Sequence, residues 1–150
     1  MRVHIGTDHA GFELKEFLVD QLTTAGWEVV DHGARAYDPE DDYPVTIIPC
    51  AEACVATGEL GIVLGGSGNG EQIAANKVRG CRAALAYTIE TARLAREHND
   101  AQVVSLGARM HSREEALAIV LAFLGSDFSG EERHVRRLEL LRDYENGATP

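Results

Sequence analysis

The chain has 150 residues, enough for one domain with a full core and too few for two. Its 45% apolar and 25% charged residues are those of an ordinary globular protein, and no apolar run approaches the roughly 20 residues of a membrane span. A formal net charge of −10 argues against nucleic acid and anionic membranes as partners, and it demands a local cationic cluster if the ligand is an anion.

Strand-like and helix-like segments alternate along the chain. Val3–Gly6 is an apolar strand, and Met1 leads into it directly, so no signal peptide and a cytoplasmic setting are expected. Leu14, Phe17, Leu18 and Leu22 then recur at helical spacing as far as Gly26. Glu28–Asp31 reads as a second strand. After a polar loop, Pro44 suits the first turn of a helix that Gly58 stops. Leu60–Leu64 is the third strand, followed by a glycine-rich loop and a helix beginning near Gln72. Arg82–Tyr87 and Gln102–Leu106 are the fourth and fifth strands, with a helix from about Ile89 to His98 between them. Ser112-Arg113-Glu114-Glu115 is a capping box opening a helix through Leu124. A last helix runs from about Glu131 to Tyr144, and residues 145–150 are expected to fray.

Five strands separated by helices mean βα units, hence an α/β fold with a mostly parallel sheet covered on both faces. No repeat or linker divides it, so residues 1–150 form one domain. Ligands of such sheets bind beyond the carboxyl ends of the strands. The three cysteines, Cys50, Cys54 and Cys81, read as small buried residues in a reducing compartment, since a metal pair would need two more ligands nearby.

The loop in "GIVLGGSGNGEQIAANK", residues 61–77, has the strand, glycine turn and helix N-terminus that cradle anions. It is not a nucleotide loop. Gly65 and Gly70 have P-loop spacing, but Glu71 and Gln72 replace the lysine and the magnesium-binding hydroxyl. The dinucleotide pattern fails as well, because Glu71 stands in place of its third glycine. A nest of amides beside a carboxylate does suit proton abstraction next to a carbonyl, the amides holding the oxyanion and Glu71 acting as base. Local pattern alone leaves this level with a plainer reading, in which Glu71 complements the helix dipole.

Four motifs, "IGTDHAGFELK" at 5–15, "GGSGNGEQIAANKVRG" at 65–80, "REHNDAQVVSLGAR" at 96–109 and "RRLELL" at 136–141, together resemble the sugar-phosphate isomerases that include type B ribose-5-phosphate isomerases and galactose-6-phosphate isomerase subunits. The resemblance spans roughly residues 2 to 142. It implies a Rossmann-like three-layer αβα sandwich and aldose–ketose interconversion through a cis-enediol, without metal or organic cofactor. One branch of this family carries a cysteine base at the position of Gly66; this chain resembles the other branch, whose glutamate matches Glu71. The resemblance further implies that His98 opens the furanose ring, that Asp8, His9 and Asn99 bind sugar oxygens, and that Gly66, Ser67, Gly68, Asn69 and Gly70 hold the substrate.

Arg133 and Arg137, spaced i, i+4 on the last helix, can reach one anion, and Arg109 can supply a third cation. The family pattern makes this the phosphate site, while Arg136, paired with Glu132, and Arg142 read as solvated. The resemblance also implies at least a homodimer with active sites shared between subunits. A six-carbon sugar phosphate such as allose or galactose 6-phosphate remains an alternative substrate, and a non-catalytic sugar-phosphate sensor an alternative function.

Overall fold

The computed structural model describes residues 1–149. Its sheet contains β1 (Arg2–Thr7), β2 (Glu28–Asp31), β3 (Leu60–Gly65), β4 (Ala83–Leu85) and β5 (Val103–Gly107), in the order β2-β1-β3-β5-β4. All four pairings are parallel, which sharpens the expected mostly parallel sheet. The helices are α1 (Phe12–Thr24), α2 (Pro44–Thr57), α3 (Asn69–Asn76), α4 (Ile89–Asn99), α5 (Arg113–Leu124) and α6 (Glu132–Glu145). None of the described helices is long and apolar enough to cross a membrane.

Alternation along the strands creates two apolar layers. Ile5, Ile62, Leu64, Val104 and Leu106 pack on one face with Leu14, Leu18 and Leu22 of α1, Ala92 and Ala95 of α4, and Phe123 of α5. On the other face Val63 and Val103 meet Ile47, Cys50 and Cys54 of α2 and Ala74 and Ala75 of α3. This is the αβα sandwich, with α6 lying outside against α4. The cysteines are buried free thiols; burial pushes Cys81 up to about 12, and a hydrogen bond donated to Cys54, then burial, raises Cys50 as well.

Local signals set several boundaries. Pro44 stands in the first turn of α2, and Gly58 ends it in the left-handed region at φ 72°. Both halves of the Ser112–Glu115 capping box form. β4 is shorter than the expected Arg82–Tyr87. The Asn76 side chain bonds Ala83 at both N–H (2.9 Å) and C=O (2.8 Å), closing this sheet edge, while the Arg82 N–H goes to Gln102 Oε1. The tail expected to fray is tied at its start: Glu145 closes α6 and accepts the Gly80 N–H at 2.9 Å, and Asn146 accepts a bond from Arg79. Pro150 lies outside the described residues.

Candidate active site

The strand order reverses direction at β1, whose neighbours are β2 and β3, so the loops after β1 and β3 part and leave a crevice. The β1 loop is Asp8 followed by a 3-10 turn, His9–Gly11. Asp8 Oδ1 caps that turn, accepting from Ala10 N–H at 2.9 Å and Gly11 N–H at 3.3 Å. His9 is held by Asp41, whose Oδ1 accepts from the His9 amide at 3.0 Å and lies 2.7 Å from Nδ1. A buried Lys15 supports the loop from behind. Its Nζ donates to Asp31 at 2.6 Å, Asp31 takes the Gly33 N–H at 2.8 Å, and the Gly33 carbonyl accepts from Thr7 N–H at 2.8 Å.

The glycine loop is fastened from below. Ser105 Oγ donates to the Gly68 carbonyl at 2.7 Å, and the amides of Ala108 and Arg109 donate to Gly65 and Gly66 at 2.7 and 3.1 Å. Gly68 has φ +83°, and a Cβ there would stand 2.7 Å from Leu85 Cδ1. Only glycine fits. Gly68 precedes α3, which starts at Asn69 rather than near Gln72 because this left-handed entry carries no side-chain cap to mark it. Asn69 Nδ2 donates to Ser67 Oγ at 3.1 Å.

Glu71 occupies the first turn of α3 and is 4% exposed. Its carboxyl rests where a Cβ at Gly65 would fall, so Gly65 provides its seat. Burial pushes this carboxyl above the usual carboxylate range, and the charge of Asp8 adds to the rise. A desolvated carboxylate with a raised pKa, beside helix N-terminal amides, can take and return a proton from a C–H acid. The opening is a cleft of about 470 Å³ lined by Asp8, His9, Gly66, Ser67, Gly70, Glu71 and Arg109 together with Tyr43 and Met110. Arg109 reaches over Gly66, where a Cβ would lie 3.3 Å from its Nη1.

Tyr43 and Asp41 join the site without any mark in the sequence. Tyr43 precedes α2, and packing of α2 on β1 brings its ring against Gly70, whose Cβ would meet Tyr43 Cζ at 2.9 Å. Neither residue has a chain neighbour that marks it; a tyrosine and an aspartate in a polar loop carry no local signal. Asp8, His9 and Asp41 are also the residues that could hold a metal ion, their donor atoms lying within 4.8 Å of one another. Sequence spacing concealed this group because Asp41 arrives from another loop. Its atoms are already engaged, with His9 Nδ1 turned toward Asp41 Oδ1 and Asp8 Oδ1 capping the turn.

His98, Asn99, Arg133 and Arg137 lie elsewhere. α4 begins beside the glycine loop, where Tyr87 Oη donates to the Ser67 carbonyl at 3.3 Å. It then runs for 11 residues, about 16 Å, to the amino edge of the sheet. There the half-buried His98 ring stacks on His134 of α6 with centroids 4.3 Å apart, and exposed Asn99 lines a hollow with Gln72, Leu85, Leu138 and Leu141. Arg133 and Arg137 are exposed on α6; Arg133 Nε meets Glu131 at 2.9 Å, while the expected Glu132–Arg136 pair is absent among the described residues. One chain therefore holds two clusters on opposite edges of its sheet.

The sequence profile described as Ribose/Galactose Isomerase matches residues 3–141. Ribose-5-phosphate isomerase B of Mycobacterium tuberculosis is 56% identical over 146 residues, covering 97% of this chain and 90% of that protein. The Escherichia coli protein of the same name is 40% identical, with 96% of each chain covered. Among solved structures, ribose-5-phosphate isomerase B from Mycoplasma genitalium with bound ribulose-5-phosphate superposes with a TM-score of 0.93 at 38% identity, covering 98% of this chain and 97% of that one. Type B ribose 5-phosphate isomerase from Trypanosoma cruzi gives 0.92 at 42%, covering 99% and 100%. With the motifs, the parallel sheet and these matches all running the length of the protein, this chain belongs to the ribose/galactose isomerase family.

Proposed function

We propose that this chain is a ribose-5-phosphate isomerase, interconverting ribose 5-phosphate and ribulose 5-phosphate in the cytoplasmic pentose phosphate pathway without metal or organic cofactor. The observation that carries the reading is Glu71, a buried carboxyl of raised pKa seated at a helix N-terminus in a cleft wide enough for a sugar phosphate. A sensor would need only binding groups, and a desolvated carboxylate is a cost without purpose in one. The pentose assignment is supported by the relative that holds ribulose-5-phosphate.

In this mechanism His98 gives a proton to the ring oxygen O4 as the C1–O4 bond breaks, the anomeric O1 hydroxyl loses its proton to solvent, and the furanose opens to the aldehyde. Glu71 removes the C2 proton, and the electron pair forms the C1–C2 double bond as charge moves onto O1, near the Gly66–Gly70 amides. The proton returns at C1 while the O2 proton passes to O1, leaving the ketone at C2. Asp8, His9 and Asn99 hold sugar hydroxyls, with Ser67, Gly68 and Asn69 shaping the loop. Arg109, Arg133 and Arg137 clamp the phosphate.

The two clusters lie on opposite edges of one chain, so the working site is composite, combining Glu71 of one subunit with His98, Asn99, Arg133 and Arg137 of the other in a two-fold homodimer. Exposed Ile73 on α3 and Leu140 and Leu141 on α6 support burial of this face in a subunit contact. The deciding assay compares turnover of ribose 5-phosphate, allose 6-phosphate and galactose 6-phosphate. Ribose 5-phosphate should be preferred; preference for either hexose phosphate would reassign the substrate. Glu71→Gln should lower kcat by roughly 10²–10⁴ with little change in KM. Solvent exchange at substrate C2 that persists in that variant would exclude Glu71 as the base.

A further inference from the structure

The His98–His134 stack is the tightest pairing of aromatic rings among the described residues, nearly parallel at 14°. His134 is 4% exposed, in the first turn of α6, and its Nε2 is buried without a hydrogen-bond partner. A buried, unpaired imidazole nitrogen carries a desolvation cost, which asks what the ring does there. The ring is stacked on His98 of α4, and the charged groups acting on it are Glu131 at the N-cap of α6 and Arg133 and Arg137 of α6 itself. Burial, then the neighbouring His98 and the two arginines, push its pKa below the ordinary imidazole value despite the opposing Glu131. The neutral form of this ring is thereby favoured. A neutral ring lying face-on covers the face of His98 and leaves the nitrogen-bearing edge of that imidazole clear of the stack.

We infer that His134 is a positioning residue, its buried ring the platform that fixes the His98 imidazole for protonation of the furanose oxygen; this rests on the ring-opening role proposed for His98. The ring reaches the substrate only through His98. An ion-pair partner in the same place would hold the proton on His98, whereas a neutral stacked ring fixes orientation and lets the proton leave. The anchoring of α6 beside α4, through the Ser129 N–H to the Glu97 carbonyl at 3.0 Å, keeps platform and acid in register.

The test uses a difference between the two substrates. Ribose 5-phosphate closes a furanose through O4. Ribulose 5-phosphate cannot, because the O5 it would need carries the phosphate, so exchange of its C1 hydrogen with deuterated solvent requires Glu71 but no ring opening. His134→Ala should lower kcat for ribose 5-phosphate by roughly ten- to a hundredfold with KM little changed, while C1 exchange of ribulose 5-phosphate stays near wild type. His134→Phe, which keeps a flat ring but cannot titrate or hydrogen-bond, should restore most of the lost kcat. Equal loss of turnover and exchange in His134→Ala, or failure of His134→Phe to rescue, would overturn the inference. His98→Asn is the reference. If it loses turnover but keeps exchange while His134→Ala loses neither, the positioning role fails and that of His98 stands. If His98→Asn loses exchange equally, the ring-opening assignment fails, and the inference with it.

Discussion

Gly65→Ala tests the geometry of the proposed base while leaving Glu71 itself unmutated. The nearest atoms to an added Cβ at Gly65 are all in the Glu71 carboxyl, at separations no pair of heavy atoms sustains. The strand backbone has nowhere to retreat, since Gly65 pairs with Gly107 and its carbonyl takes the Ala108 N–H at 2.7 Å. The carboxyl must therefore leave its seat. Overpacking of this kind costs about 1–3 kcal/mol of stability. The kinetic loss should match removal of the base, roughly 10²–10⁴ in kcat, because a displaced Glu71 is as useless to C2 as a glutamine. Both lesions act on one carboxylate, so the double variant Gly65→Ala/Glu71→Gln should be no slower than the worse single. The assay is ketose formation from ribose 5-phosphate at saturating substrate, with thermal unfolding as the folding control. Retention of kcat within about threefold in folded Gly65→Ala, or multiplicative losses in the double variant, would refute the reasoning. The Glu71 seat also carries a stability signature. A carboxyl whose folded pKa is raised destabilises the fold as pH rises past its unfolded value, so Glu71→Gln should raise Tm at pH 8 and leave it unchanged near pH 4.

Mixing Glu71→Gln with His98→Asn under subunit exchange should restore about a quarter of wild-type activity, because about half the dimers are hybrid and each hybrid has one intact site; no recovery despite exchange confirmed by mass would place both residues in one chain's site. Arg133→Ala and Arg137→Ala should each raise KM by roughly ten- to a hundredfold, with Arg136→Ala as an unaffected control. Equal weakening of a phosphate-free sugar alcohol would show that they do not bind the phosphate. His32, half-buried beside His4 at 2.9 Å, has its pKa lowered first by burial and next by His4 and Arg35, against the opposing Asp31. The unfolded chain then binds a proton more readily, so stability should fall as pH drops through about 6.5, and His32→Gln should flatten Tm between about pH 7 and 5. An unchanged slope would count against it.

What the sequence discloses depends on whether a signal is local. Pro44, Gly58 and the Ser112 capping box fix the ends of α2 and α5 within a few residues, and those ends agree. The edge strand β4 is shortened by Asn76, and α3 begins at a left-handed glycine, both matters of tertiary contact rather than nearby sequence. Asp8, His9 and the glycine loop are legible as site candidates because both follow strands at the switch point that an open parallel sheet with helices on both faces must have. Tyr43 and Asp41 are not, since only the packing of α2 against β1 brings them there. The motif resemblance named Glu71 and His98 together, but alternation of strands and helices separates them. A helix leaving the carboxyl edge must end at the amino edge, and α4 carries His98 there.

The separation of the two clusters matters electrostatically, beyond assembly of the proposed composite site. The cleft around Glu71 is lined by the carboxylates Asp8 and Glu71 and by one guanidinium, Arg109, with His9 engaged by a third carboxylate, Asp41. Within a chain of net charge −10, such a cleft repels the phosphate of a sugar phosphate, and raising Glu71's pKa only partly relieves this. In the proposed dimer, Arg133 and Arg137 of a second chain would reverse the balance to three guanidiniums facing the anion. Both are exposed, Arg133 in a weak surface pair with Glu131 and Arg137 in no ion pair among the described residues, so little must be broken to release them. A lone subunit would thus have a base and almost no affinity, whereas the proposed dimer gains its acid and its phosphate clamp from the same pair of helices, α4 and α6, in one step.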